Sequence, residues 1–248
     1  MNTIYILWLR QLKRYFRSKA RMIGSLGQPL LFLVALGYGF GPIYAKAGEG
    51  NYIQFIAPGV ICMGILFTSV FMGIEVIWDK EFGFLKETLV APVSRFNIML
   101  GRTLGGATVA ILQGMIILIL SVVVGFRPEN LSMLPLALII MFLISVLFTA
   151  FGTAIASILE DMHGFQLIMN FLIMPIFFLS GALFPLNNLP GPITTLTQIN
   201  PLSYGVDGLR ATLLGTSHFH LGLDFLVLGV ISILFLGIGS YLFSKIEI

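Results

Sequence analysis

Apolar residues recur along the chain in blocks of about twenty, separated by shorter stretches that carry most of the charged side chains. A helix rises about 1.5 Å per residue, so a block of this length crosses the ~30 Å hydrocarbon layer of a bilayer. The blocks lack the two-residue alternation of a transmembrane barrel strand. The pattern therefore predicts an all-α integral membrane protein with six transmembrane helices, at residues 23–40, 56–77, 104–124, 134–159, 167–184 and 225–243.

Composition agrees with this prediction and favours a single transmembrane domain over residues 1–248. The chain is 57% hydrophobic and 10% charged, with a mean hydropathy of +0.99. An ordinary soluble domain carries about 25% charged residues and has too little interior to bury so much apolar surface.

Basic residues are distributed unequally between the two sides that six spans define. Because positive residues favour the cytoplasmic side, we expect both termini in the cytoplasm and the protein in the plasma or inner membrane. This distribution also explains the net charge of +3 without nucleic acid as a partner. The predicted inner side holds Arg10, Lys13, Arg14, Arg17, Lys19, Arg21, Lys80, Lys86, Arg95, Arg102 and Lys245, and the outer side holds Lys46, Arg127 and Arg210.

Residues 1–21 have the pattern of an amphipathic helix that lies in the membrane interface. Apart from Lys19 and Ile6, its basic residues share one arc of a helical wheel, and its apolar residues share the other. The helix serves either as a topology anchor or as a contact for a cytoplasmic partner. The apolar arc consists of Ile4, Tyr5, Trp8, Leu9, Leu12, Tyr15 and Phe16.

Few residues in the sequence indicate catalysis, and none indicates a metal site. No Gly-rich loop followed by Lys and Ser or Thr is present, so we expect no cofactor in this chain. The single cysteine, Cys62, has no partner for a disulfide or a zinc site. Residues 160–163 combine two acids with a histidine, but a connection between spans is normally polar. The chain is therefore not expected to be an enzyme.

Glu75 is the one acidic residue well inside a predicted span. A carboxylate costs least near the membrane interface, where Glu75 is expected to lie. A structural pairing with Lys80 or Arg102 is favoured over proton or sodium coupling, because a single acid provides no proton relay.

The predicted inner connection, residues 79–95, is charged yet periodic at helical spacing up to Pro92. Phe82, Leu85 and Leu89 fall on one arc that would rest on the membrane helices. Phe84 projects from the polar arc, which suggests insertion into a groove of another protein. The alternative is that Phe84 enters the lipid headgroup layer.

The predicted outer segment, residues 185–215, contains Pro185, Pro190, Pro192 and Pro201 and is too apolar for a loop in water. Short helices that enter the outer leaflet would satisfy both properties. Asn200 followed by Pro201 is typical of a helix N-terminus. The segment is a candidate outer gate, for which Pro185, Asn200, Pro201 and Tyr204 are the candidate residues.

Three motifs resemble the ABC-2 family of ABC-transporter permeases, in particular the drug-resistance and nodulation-type exporter subunits. Phe84 and Lys86 stand where the family has Thr and Glu. The similarity covers the whole chain. The matching stretches are Glu81-x-Gly83-Phe84-Leu85-Lys86-x-Thr88-Leu89-x-x-Pro92-x-Ser94; Asp161-Met162-His163-Gly164-Phe165; and Ser180-Gly181-x-x-Phe184-Pro185 with Asn200-Pro201-Leu202-Ser203-Tyr204 and Gly208-Leu209-Arg210.

The resemblance implies a permease that forms a dimer, most simply a homodimer, above two copies of a separate P-loop ATPase. ATP and Mg would be bound by that partner. Residues 81–91 would be the coupling helix, in which Glu81, Gly83, Phe84 and Glu87 contact the ATPase. The exported cargo would be a lipophilic drug, a lipid or a glycolipid.

The resemblance also implies that the second and fifth spans line the translocation path. On these spans the candidate residues are Phe67, Phe71, Gln166, Asn170 and Phe177. Each of these residues has an alternative role as a contact between helices. The alternative function for the whole chain is an autonomous channel or an ion-coupled secondary carrier.

Overall fold

The computed structural model describes residues 3–48, 50–90, 92–187 and 189–245, apart from the side chains of residues 86, 87 and 89. Within these residues the chain forms helices joined by turns and contains no strand. A 3-10 helix at Leu131–Met133 leads into α7. The α-helices are α1 (Thr3–Arg17), α2 (Lys19–Lys46), α3 (Tyr52–Phe71), α4 (Ile74–Glu81), α5 (Phe84–Val90), α6 (Arg95–Val124), α7 (Leu134–Ile158), α8 (Met162–Phe178), α9 (Gly191–Ile199), α10 (Pro201–Leu214) and α11 (Leu221–Ser244).

Five segments of the described chain are long and apolar enough to cross a membrane: α2, α3 with α4, α6, α7 with its 3-10 turn, and α11. The protein is therefore an all-α membrane protein, as predicted. The fifth span is shorter in the structure than predicted and begins earlier in the sequence. Residues 167–184 were expected, whereas α8 covers 17 residues, about 26 Å of helix.

Local interactions explain both ends of α8. The side chain of Asp161 accepts a hydrogen bond from the backbone N–H of Gly164, 2.6 Å away, and so caps the first turn. The helix ends at Phe178, soon after Pro175, and the following turn contains Gly181 with φ +74°. Most side chains cannot adopt this backbone conformation without strain, so the helix does not continue to residue 184.

The predicted second span is divided at Met72 and Gly73 into α3 and α4. At this point the chain presses against α7. A Cβ on Gly152 would collide with the backbone carbonyl of Val70. The close approach fixes α4 against α7 and thereby sets the direction of the chain that follows.

Helix α3 forms the centre of the bundle. In its most apolar stretch 78% of the residues are buried within the chain, compared with 17% for α2 and for α11. The buried side chains of α3 pack against α6, α7 and α10 in one apolar core. The large exposed apolar faces of α2 and α11 therefore need lipid or another chain to cover them.

Helix α1 packs along the start of α6 and does not only lie on a membrane surface. Gly101 and Gly105 let α1 approach closely, since a Cβ on Gly105 would meet the Gln11 side chain. Trp8 Nε1 donates to Thr108 Oγ1 at 3.0 Å, and the Tyr15 hydroxyl donates to Gln113 Oε1 at 2.6 Å. Of the predicted apolar arc, Tyr15 is thus buried inside the protein, whereas Tyr5 and Phe16 remain exposed.

We call the end of the bundle that carries α1, α4 and α5 the α1 end. The opposite end, where α9 and α10 lie and α11 begins, is the α10 end. The Tyr52 hydroxyl holds the α10 end together by donating to the Leu183 carbonyl at 2.8 Å.

Candidate functional site

Four arginines meet two carboxylates at the α1 end. Asp79, on α4, accepts two hydrogen bonds from Arg10 of α1, at 2.9 and 2.6 Å. It also accepts one from Arg102 of α6, at 2.6 Å. The Asp79 carboxylate therefore ties three helices together at one point.

Glu75 has different partners from those predicted. Its carboxylate lies 3.1 Å from the Arg21 guanidinium of α2 and 3.6 Å from that of Arg14 of α1. The expected partners are engaged elsewhere: Arg102 binds Asp79, and Lys80 binds backbone carbonyls. The prediction of a structural pairing agrees with these contacts, but the predicted partners were wrong because α1 folds back against α4.

Lys80 closes the end of α7. Its ammonium donates to the carbonyls of Ser157 at 2.7 Å and Leu159 at 3.0 Å. The last carbonyls of a helix have no partner within that helix, and a cation also interacts favourably with the dipole there. Lys80 thus couples α4 to α7.

The predicted coupling helix is divided between two helices, and we call α4, α5 and the turn between them the coupling segment, after the predicted role. A single helix up to Pro92 was predicted, but the chain turns at Phe82 and Gly83 between α4 and α5. Gly83 has φ +75°, a conformation that glycine adopts most readily. Because the turn interrupts the helical period, the faces of α5 cannot be extrapolated from α4.

The two phenylalanines of this segment differ from the prediction in their exposure. Phe84 is partly buried, and the Arg10 guanidinium lies 3.8 Å from the centre of its ring. Phe82, predicted to rest on the membrane helices, is 81% exposed. Leu85 is buried as expected. Glu81 is exposed, whereas the Glu87 and Leu89 side chains lie outside the described part of the chain.

A basic groove of about 670 Å³ separates α1 from the coupling segment. Among the described side chains one acid, Asp79, lines it, and that acid is already paired with two arginines. The groove combines positive charge with the exposed ring of Phe82, which suits an acidic and apolar partner surface. Its lining consists of Ile6, Leu9, Arg10, Lys13, Arg14, Arg17, Asp79, Phe82 and Phe84.

The four arginines and two carboxylates described above form what we call the arginine network. A second cavity, of about 380 Å³, lies beside this network. We call it the Arg21 pocket. Phe67, Phe71 and Gln166, three of the predicted path residues, line it together. The rest of the lining comes from α1, α2, α3, α4 and α8 with the turn before α4: Tyr15, Arg21, Gly24, Ser25, Gln28, Pro29, Met63, Thr68, Met72, Ile74, Trp78 and Met162.

The other two predicted path residues lie apart from this pocket. Asn170 is exposed on the face of α8 that is turned away from the bundle. Phe177 is 1% exposed and packs edge-on against Phe32, with ring centres 6.3 Å apart. The predicted stripe on α8 is therefore divided between an exposed part and a part inside the bundle.

The α10 end has the predicted N-terminus of α10. Asn200 Oδ1 accepts the backbone N–H of Leu202 at 3.0 Å, and Pro201 follows in the first turn. Asn200 Nδ2 also donates to the Ile176 carbonyl of α8 at 2.6 Å. Pro185 lines an apolar pocket of about 500 Å³ between the end of α8 and α2.

Tyr204 connects α10 to its surroundings. Its hydroxyl donates to the Gln198 carbonyl at 2.7 Å, and its ring stacks on Phe219 at 4.8 Å. Burial is the main cause that raises the pKa of Tyr204, and the nearby carboxylate of Asp224 adds to it. The phenol therefore stays protonated and keeps donating at physiological pH.

Sequence reasoning missed Asp79 and Arg210. Asp79 is the first residue of the charged inner connection, and no role of its own was predicted for it. Arg210 was counted as an outer-side charge, but it donates to the carbonyls of Phe55 and Gly181 and lies 4.2 Å from the Phe55 ring centre. One sequence signal could have pointed to both residues: each adjoins a strongly apolar stretch, where charges are normally paired.

Among the described residues no group of three or more histidine, cysteine or acidic side chains could hold a metal ion. The features that stand out at the α1 end are the arginine network, the basic groove and the Arg21 pocket.

Comparison with known proteins identifies the family. The ABC-2 type transporter model matches residues 2–214. The chain is 29% identical to the transport permease ycf38 of Cyanophora paradoxa, over 99% of this chain and 89% of the relative. It is 30% identical to nodulation protein J of Rhizobium meliloti, over 82% and 78% of the two chains.

A further relative is the doxorubicin resistance ABC transporter permease protein DrrC of Mycobacterium tuberculosis. The two chains are 29% identical over 83% of this chain and 75% of DrrC. Because the family model and these relatives cover most of the sequence, the protein belongs to the ABC-2 type transporter family, as the membrane subunit of a transporter.

Proposed function

We propose that this chain is the membrane-spanning subunit of an ATP-driven exporter, and that a separate P-loop ATPase binds at its α1 end. The observation that carries the proposal is the coupling segment. It presents Phe82 to the outside, while ion pairs anchor α4 to α1, α2 and α6. A force applied at Phe82 would thus reach several membrane helices together.

The sequence contains no nucleotide-binding loop, so ATP and Mg are assigned to the partner. Glu81, Gly83, Phe84 and the undescribed side chain of Glu87 remain the proposed coupling residues. The structure adds Phe82, whose exposed ring suits a pocket on the ATPase. We place the α1 end and both termini in the cytoplasm, because the basic residues concentrate there.

Two copies of the chain are proposed to form the translocation path, with α8 facing the partner copy. Gln166 and Asn170 give the exposed face of α8 amide groups that lipid cannot satisfy. The exposed face of α11, by contrast, carries Leu226, Val230 and Ile233. Protein or water therefore suits the α8 face, and lipid suits the α11 face.

The cargo is proposed to be a lipophilic drug, a lipid or a glycolipid. In support, the Arg21 pocket offers apolar walls and a few polar groups, the usual make-up of a small-molecule site. The segment of α9 and α10, with Pro185, Asn200, Pro201 and Tyr204, is the proposed outer gate.

The first test is purification of the tagged protein in lipid nanodiscs from its own host, with identification of any ATPase that remains bound. We expect a P-loop ATPase in equal amount. Phe82→Ala should lower its recovery by at least about tenfold, the scale of an interface hot spot. Phe96→Ala removes another exposed aromatic from the same end and serves as the matched control.

The opposite result would be a protein that purifies without an ATPase and transports cargo on an ion gradient. An autonomous channel or carrier would then replace the proposal, and transport should depend on Glu75. The burial of Glu75 between Arg14 and Arg21 instead supports a structural role.

A further inference from the structure

The Arg21 pocket changes in character along its length. Arg21 and Ser25 lie one turn apart at the start of α2, near Trp78 at the α1 end, and Gln28 follows about 10 Å beyond Arg21, beside Pro29. Further along the bundle, Pro29, Met63 and Phe67 provide apolar walls. One molecule that fills the pocket would therefore meet polar groups at one end and hydrocarbon at the other.

The charge at the polar end is positive. Arg10, Arg14, Arg21 and Arg102 face two carboxylates, Asp79 and Glu75, so the arginine network keeps an excess of two positive charges. No carboxylate is among the described residues that line the pocket.

Arg21 is the cation of the network that lines the pocket. It shares Glu75 with Arg14, and its side chain is 34% exposed. One hydrogen bond, from Nη1 to Glu75 at 3.1 Å, is its side-chain bond to the described residues. Its remaining N–H groups are available to a ligand.

Two amides also line the pocket. Gln28 and Gln166 both line the pocket, and neither makes a side-chain hydrogen bond to the described part of the chain. An amide can donate to an anion, and an arginine binds oxyanions especially well. The three side chains together form a set of donors beside an apolar cavity.

We infer that the Arg21 pocket takes an amphiphile with an anionic oxygen-bearing head and an aliphatic tail. The head would bind Arg21 with Gln166 as a further donor, and the tail would lie along Met63 and Phe67, past Gln28 and Pro29. This inference rests on the proposed function and narrows the cargo class. It assigns Arg21 as a specificity-determining residue that disfavours cationic amphiphiles.

The pocket contains a tryptophan whose fluorescence can measure ligand binding. The chain has two tryptophans, Trp8 and Trp78, and Trp78 lines the pocket. The Trp8→Phe variant therefore leaves Trp78 as the single tryptophan. In neutral phosphatidylcholine nanodiscs, quenching of its fluorescence by bromine measures binding of brominated probes. Three probes with the same brominated dodecyl chain would carry a phosphate, a hydroxyl or a trimethylammonium head.

The phosphate probe should bind at least about fivefold more tightly than the hydroxyl probe, and the trimethylammonium probe should bind most weakly. Arg21→Gln should abolish the preference for phosphate, and Arg21→Lys should retain part of it. Lys19→Gln removes an exposed positive charge two residues away and should leave the preference intact. If Arg21→Gln does not fold, the order of the three probes on the parent variant still tests the inference.

Equal or tighter binding of the trimethylammonium probe would overturn the inference. An equal loss of preference in Lys19→Gln would overturn it too, because general surface charge would then explain the effect. The assay needs no ATPase, so its failure leaves the proposed function standing. Conversely, a missing ATPase together with a clear phosphate preference would reject the proposed function and keep the binding site.

Nanodiscs that also contain phosphatidylglycerol separate two sources of the anionic head. Weaker phosphate-probe binding in these discs, with a smaller loss for Arg21→Gln than for the parent variant, would identify a bilayer phospholipid as a competing occupant, because repulsion by the anionic disc acts on both variants alike. Unchanged binding would identify a free amphiphile. Either result supports an anionic head in the pocket.

Discussion

At Asp79 one carboxylate holds two guanidinium groups from helices that are distant in sequence. Its partner Arg102 is 2% exposed. Two further nitrogens of Arg102, Nε and Nη1, have no hydrogen-bond partner in the described part of the chain. Asp79 is therefore the main compensation for a charge that is otherwise costly to bury.

Removal of Asp79 should destabilise the protein strongly. We expect Asp79→Ala to lower the free energy of unfolding by about 3–5 kcal/mol, the usual effect of leaving a buried charge unpaired. Denaturant titration in detergent micelles would measure the change.

Glu81→Ala provides the matched control for this prediction. Glu81 is an exposed acid two positions along, so its loss should change the unfolding free energy by no more than about 0.5 kcal/mol. The double variant Asp79→Ala/Arg102→Ala should recover part of the lost stability, because the fully buried cation is then removed and the remaining partner, Arg10, is partly exposed to solvent. If Asp79→Ala and Glu81→Ala were equally stable, the ion pairs of Asp79 would contribute nothing to stability.

Among the elements, the turn between α4 and α5 sets the direction of α5 relative to α4, and thereby the surface offered to the proposed ATPase. The left-handed backbone at Gly83 costs a residue with a Cβ about 1–2 kcal/mol. Gly83→Ala should therefore shift the segment away from its native shape and lower ATPase recovery by at least about fivefold.

Asparagine tolerates the left-handed conformation better than alanine, so Gly83→Asn is the control. It should retain most of the recovered ATPase, measured by the same purification in nanodiscs. If alanine and asparagine lowered the recovery equally, the backbone conformation at Gly83 would not be the cause.

The elements that the sequence predicted well are those determined by neighbouring residues. Hydrophobic blocks located the spans, and Asn200 with Pro201 located the start of α10. The break at Gly73 and the early end of α8 were missed. Both depend on contacts or turns that a hydrophobic block does not reveal.

The candidate site was less predictable, because its contacts join distant parts of the chain. Arg10 and Asp79 are 69 positions apart, and Arg21 and Glu75 are 54 apart. A helical wheel separates the faces of α1, but it does not show that α1 folds against α4. The burial of Phe84 under Arg10 follows from that placement and could not be derived from residues 79–95 alone.

The orientation of the whole molecule in its membrane can be tested by cysteine labelling. The central helix α3 contains Cys62, which is fully buried. Because it is the one cysteine in the chain, Cys62→Ala yields a background for labelling with very little change in volume.

Single cysteines in this background would test the orientation. With a membrane-impermeant maleimide on intact cells, we expect Ser217→Cys at the α10 end to react. Lys19→Cys at the α1 end should react only after permeabilisation. Both positions are exposed, so a lack of labelling reflects the membrane barrier and not burial in the protein. The reverse pattern would place the α1 end outside the cytoplasm.

The ammonium of Lys80, bound to the end of α7, has a chemical consequence. An amine held by backbone carbonyls is a poor nucleophile toward acylating reagents, whereas Lys13 and Lys19 are exposed. Acylation of Lys80, followed by mass spectrometry during ATP turnover, would therefore record how often α4 separates from α7. Under the proposed function, the rate of Lys80 acylation would thus report this separation without any engineered label.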